Sequence, residues 1–153
     1  MAPDSDQKPG SRSARDVMTA NPTTVSETDS VRDAARIMAR EDTGVVPVVD
    51  GRKVVGMVTD RDIVVRLVAD GRDPAEARVK DYMTRSVKSV KEDTSVADVL
   101  SVMSKAQIRR VPVVNSSDEL VGIVSMRDIS TETDQDRNVG KAVEQISAGP
   151  ANN

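Results

Sequence analysis

The chain has 153 residues and a formal net charge of −3, enough length for one ordinary domain or two small fused units and no general attraction to phosphate backbones. It contains neither Cys nor His, which removes thiol nucleophiles, imidazole bases, disulfides and the usual zinc ligand sets; Tyr82 is the only aromatic, so ring stacking cannot organise recognition of a base. No apolar run approaches a membrane span and no secretory leader opens the chain, so a cytoplasmic protein without membrane or nucleic-acid partners is expected.

Residues 1–14 are rich in Pro, Ser, Gly and charge and read as a disordered arm. After "RDVMT" at 15–19, Val31, Ala34, Ala35 and Met38 recur at i, i+3, i+4 and i+7, which predicts a helix with one apolar stripe, capped by Asp29 or Ser30. "VVPVV" at 45–49 has the valine content of a buried strand, yet its central Pro47 cannot donate to a ladder. A polar turn, a second strand "VVGMV" at 54–58 and a second helix starting near Thr59 follow. Gly71 stands where a helix cap would, and "DP" at 73–74 predicts a short connecting helix within 71–79.

The same succession then begins again, 65 residues later in sequence. "KDYMT" at 80–84 matches the first segment, and Val96, Val99, Leu100 and Met103 repeat the stripe behind a cap at Asp93 to Ser95. "RVPVV" at 110–114 repeats the proline run around Pro112. After one inserted residue in the turn, "LVGIVSMRDI" at 120–129 repeats "VVGMVTDRDI" at 54–63. Two units are therefore expected, at 15–70 and 80–130, each running strand, helix, strand, strand, helix. A polar tail occupies 131–153, where Val139, Val143 and Ile146 at helical spacing suggest a short docked helix.

Three features carry chemistry. In "GMVTDRD" and "GIVSMRD", a hydroxyl (Thr59, Ser125) precedes a carboxylate (Asp62, Asp128) by three residues, the spacing of a capping box. The same spacing suits a ligand: hydroxyl and backbone N–H groups for a phosphate, a carboxylate for the two hydroxyls of a ribose, and a glycine that lets something approach the backbone. The proline runs are either edge devices against aggregation or interrupted ladders whose free backbone groups read a purine edge between valines. Arg61, Arg109, Arg110 and Arg127 are solvated cations or phosphate partners. Neither glycine-rich nucleotide cradle is present and no carboxylates are spaced as a metal site, so no catalytic residue, metal or resident cofactor is expected.

Four motifs in the same order in both copies, over residues 15–130, resemble a tandem cystathionine-β-synthase (CBS) domain pair, or Bateman module. The resemblance implies an α/β (α+β) fold of two β-α-β-β-α units packed through their sheets about a pseudo-two-fold axis, with two clefts for adenosine-containing ligands. It assigns ribose to Asp62 and Asp128, the phosphate side to Thr59 and Ser125, and adenine to the backbone near Val45, Val46, Arg110 and Val111, beside Pro47 and Pro112. AMP, ADP and ATP lead the ligand candidates, ahead of NAD and S-adenosylmethionine. It further implies a homodimer through the helices bearing Val31, Met38, Val99 and Met103, with core packing the simpler role for some of these side chains, and a stand-alone sensor acting on a partner protein in trans. The alternative is a ligand-free dimeric interaction protein whose motifs serve as caps. Arg109 and Arg110 stand where the first copy has Gly44 and Val45; the resemblance implies that these positions reach toward the other unit's motif, so the Asp62 cleft is expected to gain a basic pair and the Asp128 cleft to meet Gly44 and Val45. Asp60, where the second copy has Met126, opposes that preference.

Overall fold

The computed structural model describes residues 12–133. Hydroxyl residues start the main helices, as the sequence expects. Ser30 Oγ accepts from Asp33 N at 3.1 Å at the head of α2 (Val31–Glu41), and Ser95 Oγ accepts from Asp98 N at 3.1 Å at the head of α4 (Val96–Ala106). Both helices end on a left-handed residue at matched positions, Asp42 with φ 52° and Gln107 with φ 54°. The stripes Val31, Ala34, Ile37, Met38 and Val96, Val99, Leu100, Met103 are buried. Burying each of the larger of these side chains is worth about 1.5–3 kcal/mol. Since Val31, Met38, Val99 and Met103 are at most 9% exposed, all four take the simpler role, core packing, and none of them offers a side chain to a dimer face. The periodicity showed an apolar face, and the chain itself covers it: the sheets for most of these side chains, and Leu67, Ala77 and Tyr82 for Val31.

Each proline run forms a hairpin with the strand after it. β2 (Val45–Asp50) pairs antiparallel with β3 (Lys53–Thr59), and β5 (Arg110–Val114) with β6 (Leu120–Ser125), each with an irregularity just before its last pairs. Outside β2, Val25 makes a single parallel bridge: its N–H donates to Pro47 O at 3.1 Å, and Val49 N donates to Val25 O at 2.9 Å. Residues 47 and 49 therefore turn their backbone polar groups away from β3, and Pro47 faces Met57 at a non-hydrogen-bonded position of the hairpin. The missing N–H costs no ladder bond there. Pro112 repeats the placement opposite Ile123, with β4 (Val90–Lys91) as the parallel neighbour of β5.

The segments that open the two copies exchange partners. β1 (Thr19–Ala20), from the first copy, pairs with β6 of the second through Thr19↔Ile123 and Ala20↔Gly122. Reciprocally, Thr84 bridges Met57 of β3, with N–H···O bonds of 2.8 and 3.0 Å. This exchange explains the glycine of each motif. A Cβ on Gly56 would lie 2.8 Å from Thr84 O and 2.9 Å from Met83 Sδ, and one on Gly122 would collide with Met18 and lie 2.9 Å from Thr19 O. What approaches each glycine is the other copy's Met–Thr segment. The turns also touch across the copies, where Leu120 N donates to Arg52 O at 2.9 Å.

Beyond β3, Thr59 caps α3 (Asp60–Asp62), which passes into a π-helical stretch, Ile63–Val68. Arg66 ties that stretch to the second copy, donating to Tyr82 O at 2.9 Å and to Asp81 O at 3.2 Å. Gly71, at φ 68°, ends it with Gly71 N donating to Val68 O at 3.0 Å, as its place in the sequence suggests. The connecting helix is not formed. Asp73 caps a single turn, since the carbonyls of Pro74 and Ala77 accept from Arg32 N and Val31 N at the head of α2 instead of continuing a helix; a short 3-10 turn, Val79–Asp81, follows.

Order also begins earlier than expected. α1 (Ala14–Val17) is a four-residue helix headed by a Ser13–Asp16 capping box, and Ser13 and Ala14 are buried against the second copy, where Val96 N donates to Arg12 O at 2.9 Å. Residues 12–14 therefore do not belong to a disordered arm; residues 1–11 lie outside the described residues. At the other end α5 (Met126–Thr133) extends past 130, and the suggested tail helix with Val139, Val143 and Ile146 lies outside the described residues. No helix among the described residues is long and apolar enough to cross a membrane.

Candidate functional site: two unequal clefts

Two hollows open between the copies. The larger, about 390 Å³, is bounded by Thr19, Pro22 and Thr23 before α2, by Glu41 to Val45 at its end, and by Pro47. The second copy supplies Arg110, Ile123, Ser125, Arg127 and Asp128. The smaller, about 230 Å³, is built from matched positions with the copies reversed: Thr84, Ser86, Val87 and Lys88, then Ala106, Ile108 and Arg109, facing Met57 and Thr59 of the first copy. Val45 and Arg110, themselves a matched pair, line both and form the wall between them.

At the head of α3, Thr59 N donates to Asp62 Oδ2 at 3.0 Å and Asp62 N donates to Thr59 Oγ1 at 3.1 Å. At the head of α5, Asp128 N donates to Ser125 Oγ at 3.0 Å, while the return bond from Ser125 N to Asp128 Oδ2 is longer, 3.4 Å. Both motifs are thus capping boxes, which is their plain structural role. Each box uses only one carboxylate oxygen. Oδ1 of Asp62 and of Asp128 makes no hydrogen bond among the described residues, so capping leaves an acceptor available.

The structure brings Ser125, Asp128, Arg127, Pro47, Val45 and Arg110 to the larger cleft, and Thr59, Arg109, Arg110 and Val45 to the smaller. Asp62 is half-buried and Arg61 exposed, and neither borders the smaller cleft. Val46 and Val111 are fully buried, each in one of the two main cores, and Pro112 borders neither cleft. Arg109 and Arg110 do reach the Thr59 side together, but Arg110 serves the Asp128 side as well. Gly44 makes that possible. A Cβ there would sit 2.8 Å from Asp60 Oδ2 and 3.2 Å from an Arg110 guanidinium nitrogen, so both side chains lie against bare backbone.

Sequence reasoning missed Thr23, Glu41 and Lys88. Thr23 Oγ1 donates to Glu41 Oε2 at 2.6 Å, and Arg40 approaches the same oxygen at 3.3 Å. The Thr23 bond holds the Glu41 carboxyl below its usual range; desolvation opposes it, and the Arg40 contacts add smaller lowering effects. The available signal lay in the repeat itself: Thr23 and Glu41 match Lys88 and Ala106, and a change of charge between copies marks a place where they do different work. Among the described residues no group of three or more acidic side chains could hold a metal ion.

The comparisons with known proteins agree with this architecture. Hypoxic response protein 1 of Mycobacterium tuberculosis is 41% identical over 118 residues, spanning 76% of this chain and 82% of that one. The CBS domain pair of MJ0100, solved in complex with 5-methylthioadenosine and S-adenosyl-L-methionine, superposes with a TM-score of 0.68 at 32% identity, covering 79% of this chain and 94% of that one. CBSX2, solved in complex with AMP, gives a TM-score of 0.66 at 27% identity, covering 89% and 98%. The CBS domain family matches residues 14–69 and again 79–133. With two such units in tandem, their opening strands exchanged and two clefts between them, the chain belongs to the CBS domain family.

Proposed function

We propose that the protein is a regulatory module that binds an adenosine-containing ligand of the AMP, ADP and ATP class between its CBS units and passes the occupancy to a partner protein in trans. The observation that carries this reading is the larger cleft. About 390 Å³ is in the range of small-molecule sites, and it is lined by the Ser125–Asp128 motif with a spare carboxylate oxygen, by Arg110 and Arg127, and by the apolar edge of Val45 and Pro47. Asp128 would accept from ribose hydroxyls, the guanidinium groups would meet phosphate, and Val45 would lie against the base in place of an aromatic ring. MJ0100 and CBSX2 lend support as relatives of this fold solved with adenosyl ligands.

The competing reading, a ligand-free interaction protein, draws on the capping boxes, which give both motifs a sufficient structural reason. Melting with AMP, ADP, ATP, NAD and S-adenosylmethionine separates the two, because a ligand that binds only the native state raises the melting temperature. At least one adenosyl compound is expected to do so, and Asp128→Asn is expected to weaken it tenfold or more through loss of a charge-assisted bond, with about the same stability as wild type. No shift with any of the five would reject ligand binding. Self-association belongs to the same reading, with exposed Val64, Val65 and Val68 of the π-helical stretch in place of the buried stripes.

A further inference from the structure

We propose that the two clefts take ligands of different charge: the smaller one is a polyanion site for the phosphate chain of a di- or triphosphate, and the larger one selects an adenosyl ligand with one phosphate or none. This deepens the reading above, since it rests on the clefts being ligand sites and names the class for each. Lys88, Arg109 and Arg110 line the smaller cleft, and no carboxylate lines it. In the larger cleft Arg110 and Arg127 stand against Glu41, Asp42 and Asp128.

The asymmetry arises at matched positions. Lys88 replaces Thr23, Arg109 replaces Gly44, and Ala106 replaces Glu41, so three changes of side chain each move the smaller cleft toward positive charge. The hydrogen bond from Thr23 fixes the Glu41 carboxylate at the larger cleft, where it would repel a second or third phosphate while leaving a nucleoside untouched. The Arg110 guanidinium makes no hydrogen bond or ion pair among the described residues, so an anion need not break one to reach it. The larger cleft, about 390 Å³, is in the range of sites for a whole small molecule and the smaller, about 230 Å³, is below it; Met57, Val87 and Ile108 give the smaller one an apolar side beside its cations. Asp60, on the first-copy side, does not border the smaller cleft, but its carboxylate and the Arg110 guanidinium lie together over Gly44, so it offsets part of the Arg110 charge and leaves Lys88 and Arg109 as the cations of the smaller cleft that it does not reach.

The test is calorimetric titration of the full chain with inorganic tripolyphosphate, AMP and ATP. Tripolyphosphate should bind one site, roughly tenfold more weakly or worse in Lys88→Thr and in Arg109→Gln, and undiminished in Asp128→Asn. In wild type its affinity should fall steeply with added salt. AMP should depend on Asp128 and ignore Lys88, and Glu41→Ala should raise the affinity of the larger cleft for ATP. Tripolyphosphate that fails to bind wild type, or binds both cation variants as well as wild type, overturns the polyanion site. If AMP still binds in that case, the adenosyl reading survives without it; if tripolyphosphate binds and no adenosyl compound does, the polyanion site survives and the adenosyl reading falls.

Discussion

The two copies agree where the backbone must be satisfied and diverge at several positions on the cleft rims. Ser30 and Ser95 cap, Asp42 and Gln107 turn left-handed, and Pro47 and Pro112 face non-bonded partners, all at matched positions. At the cleft rims the same alignment sets Thr23 against Lys88, Glu41 against Ala106 and Gly44 against Arg109. Their last helices diverge as well: Val64, Val65 and Val68 are more than half exposed, while the second copy has Ser130, Thr131 and Asp134 at those places. Hydrogen-bond geometry leaves few substitutes, so shared positions report the fold. A rim position tolerates any side chain that water will solvate, so unshared ones report a difference in use.

The likeness of the copies breaks first at the exchanged strands. Gly122→Ala should cost about 1–3 kcal/mol by forcing a methyl into Met18 and the Thr19 carbonyl, read as a lowered urea midpoint. Gly56→Ala should cost a similar amount, since the added methyl would meet Thr84 O at 2.8 Å and Met83 Sδ at 2.9 Å. Equal midpoints for both variants and wild type would refute the close crossing. Giving the first copy the residues of the second, Val64→Ser with Val65→Thr and Val68→Asp, should change stability by within about 0.5 kcal/mol and shift the light-scattering mass at micromolar concentration from dimer to monomer. A monomer mass for the wild type would remove the homodimer.

The smallest expected effect is on pH. Glu41 at the larger cleft and Asp118 beside Lys91 in the second copy both have carboxyls held below their usual range, by Thr23 and by Lys91 respectively. A lowered native value means that their stabilisation is complete above the ordinary carboxylate range and is lost as pH falls through the native value. Glu41→Gln and Asp118→Asn should therefore each differ slightly from wild type in urea midpoint at pH 7 and converge with it in acid. Both carboxylates are exposed, so solvent keeps either contribution small. A gap that widens in acid would contradict the sign.

The helices and hairpins were legible because their signals are local and repeated: apolar spacing, a hydroxyl three residues before a carboxylate, proline amid valines. What covers an apolar stripe is not local. Val31 reads as core or as a dimer face until Leu67, Ala77 and Tyr82 close over it, and Met103 until the second copy's sheet does. The two-residue strands, as in Thr19–Ala20, are too short to carry a period, so their exchange left no trace except the two glycines they cross. The connector misled for a related reason. Asp73 and Pro74 are good openers, but the N–H groups of Val31 and Arg32 claim the carbonyls a helix would have used. At the clefts the motif residues were visible one by one, whereas Lys88 and Glu41 become visible once the copies are laid side by side.

Exchange of the opening strands also bears on what one copy could be by itself. Residues 14–69 alone would hold β1 with no β6 to pair with, and a β3 edge whose Met57 polar groups had lost Thr84. The missing pieces are what a second, identical copy would offer across a two-fold axis. The chain has the geometry of a symmetric dimer whose subunits are joined through residues 71–79, which turns a concentration-dependent encounter into one at the high effective concentration of a short tether. Once tethered, the halves no longer need to be self-complementary, and each rim is free to change without its mate changing in the same way.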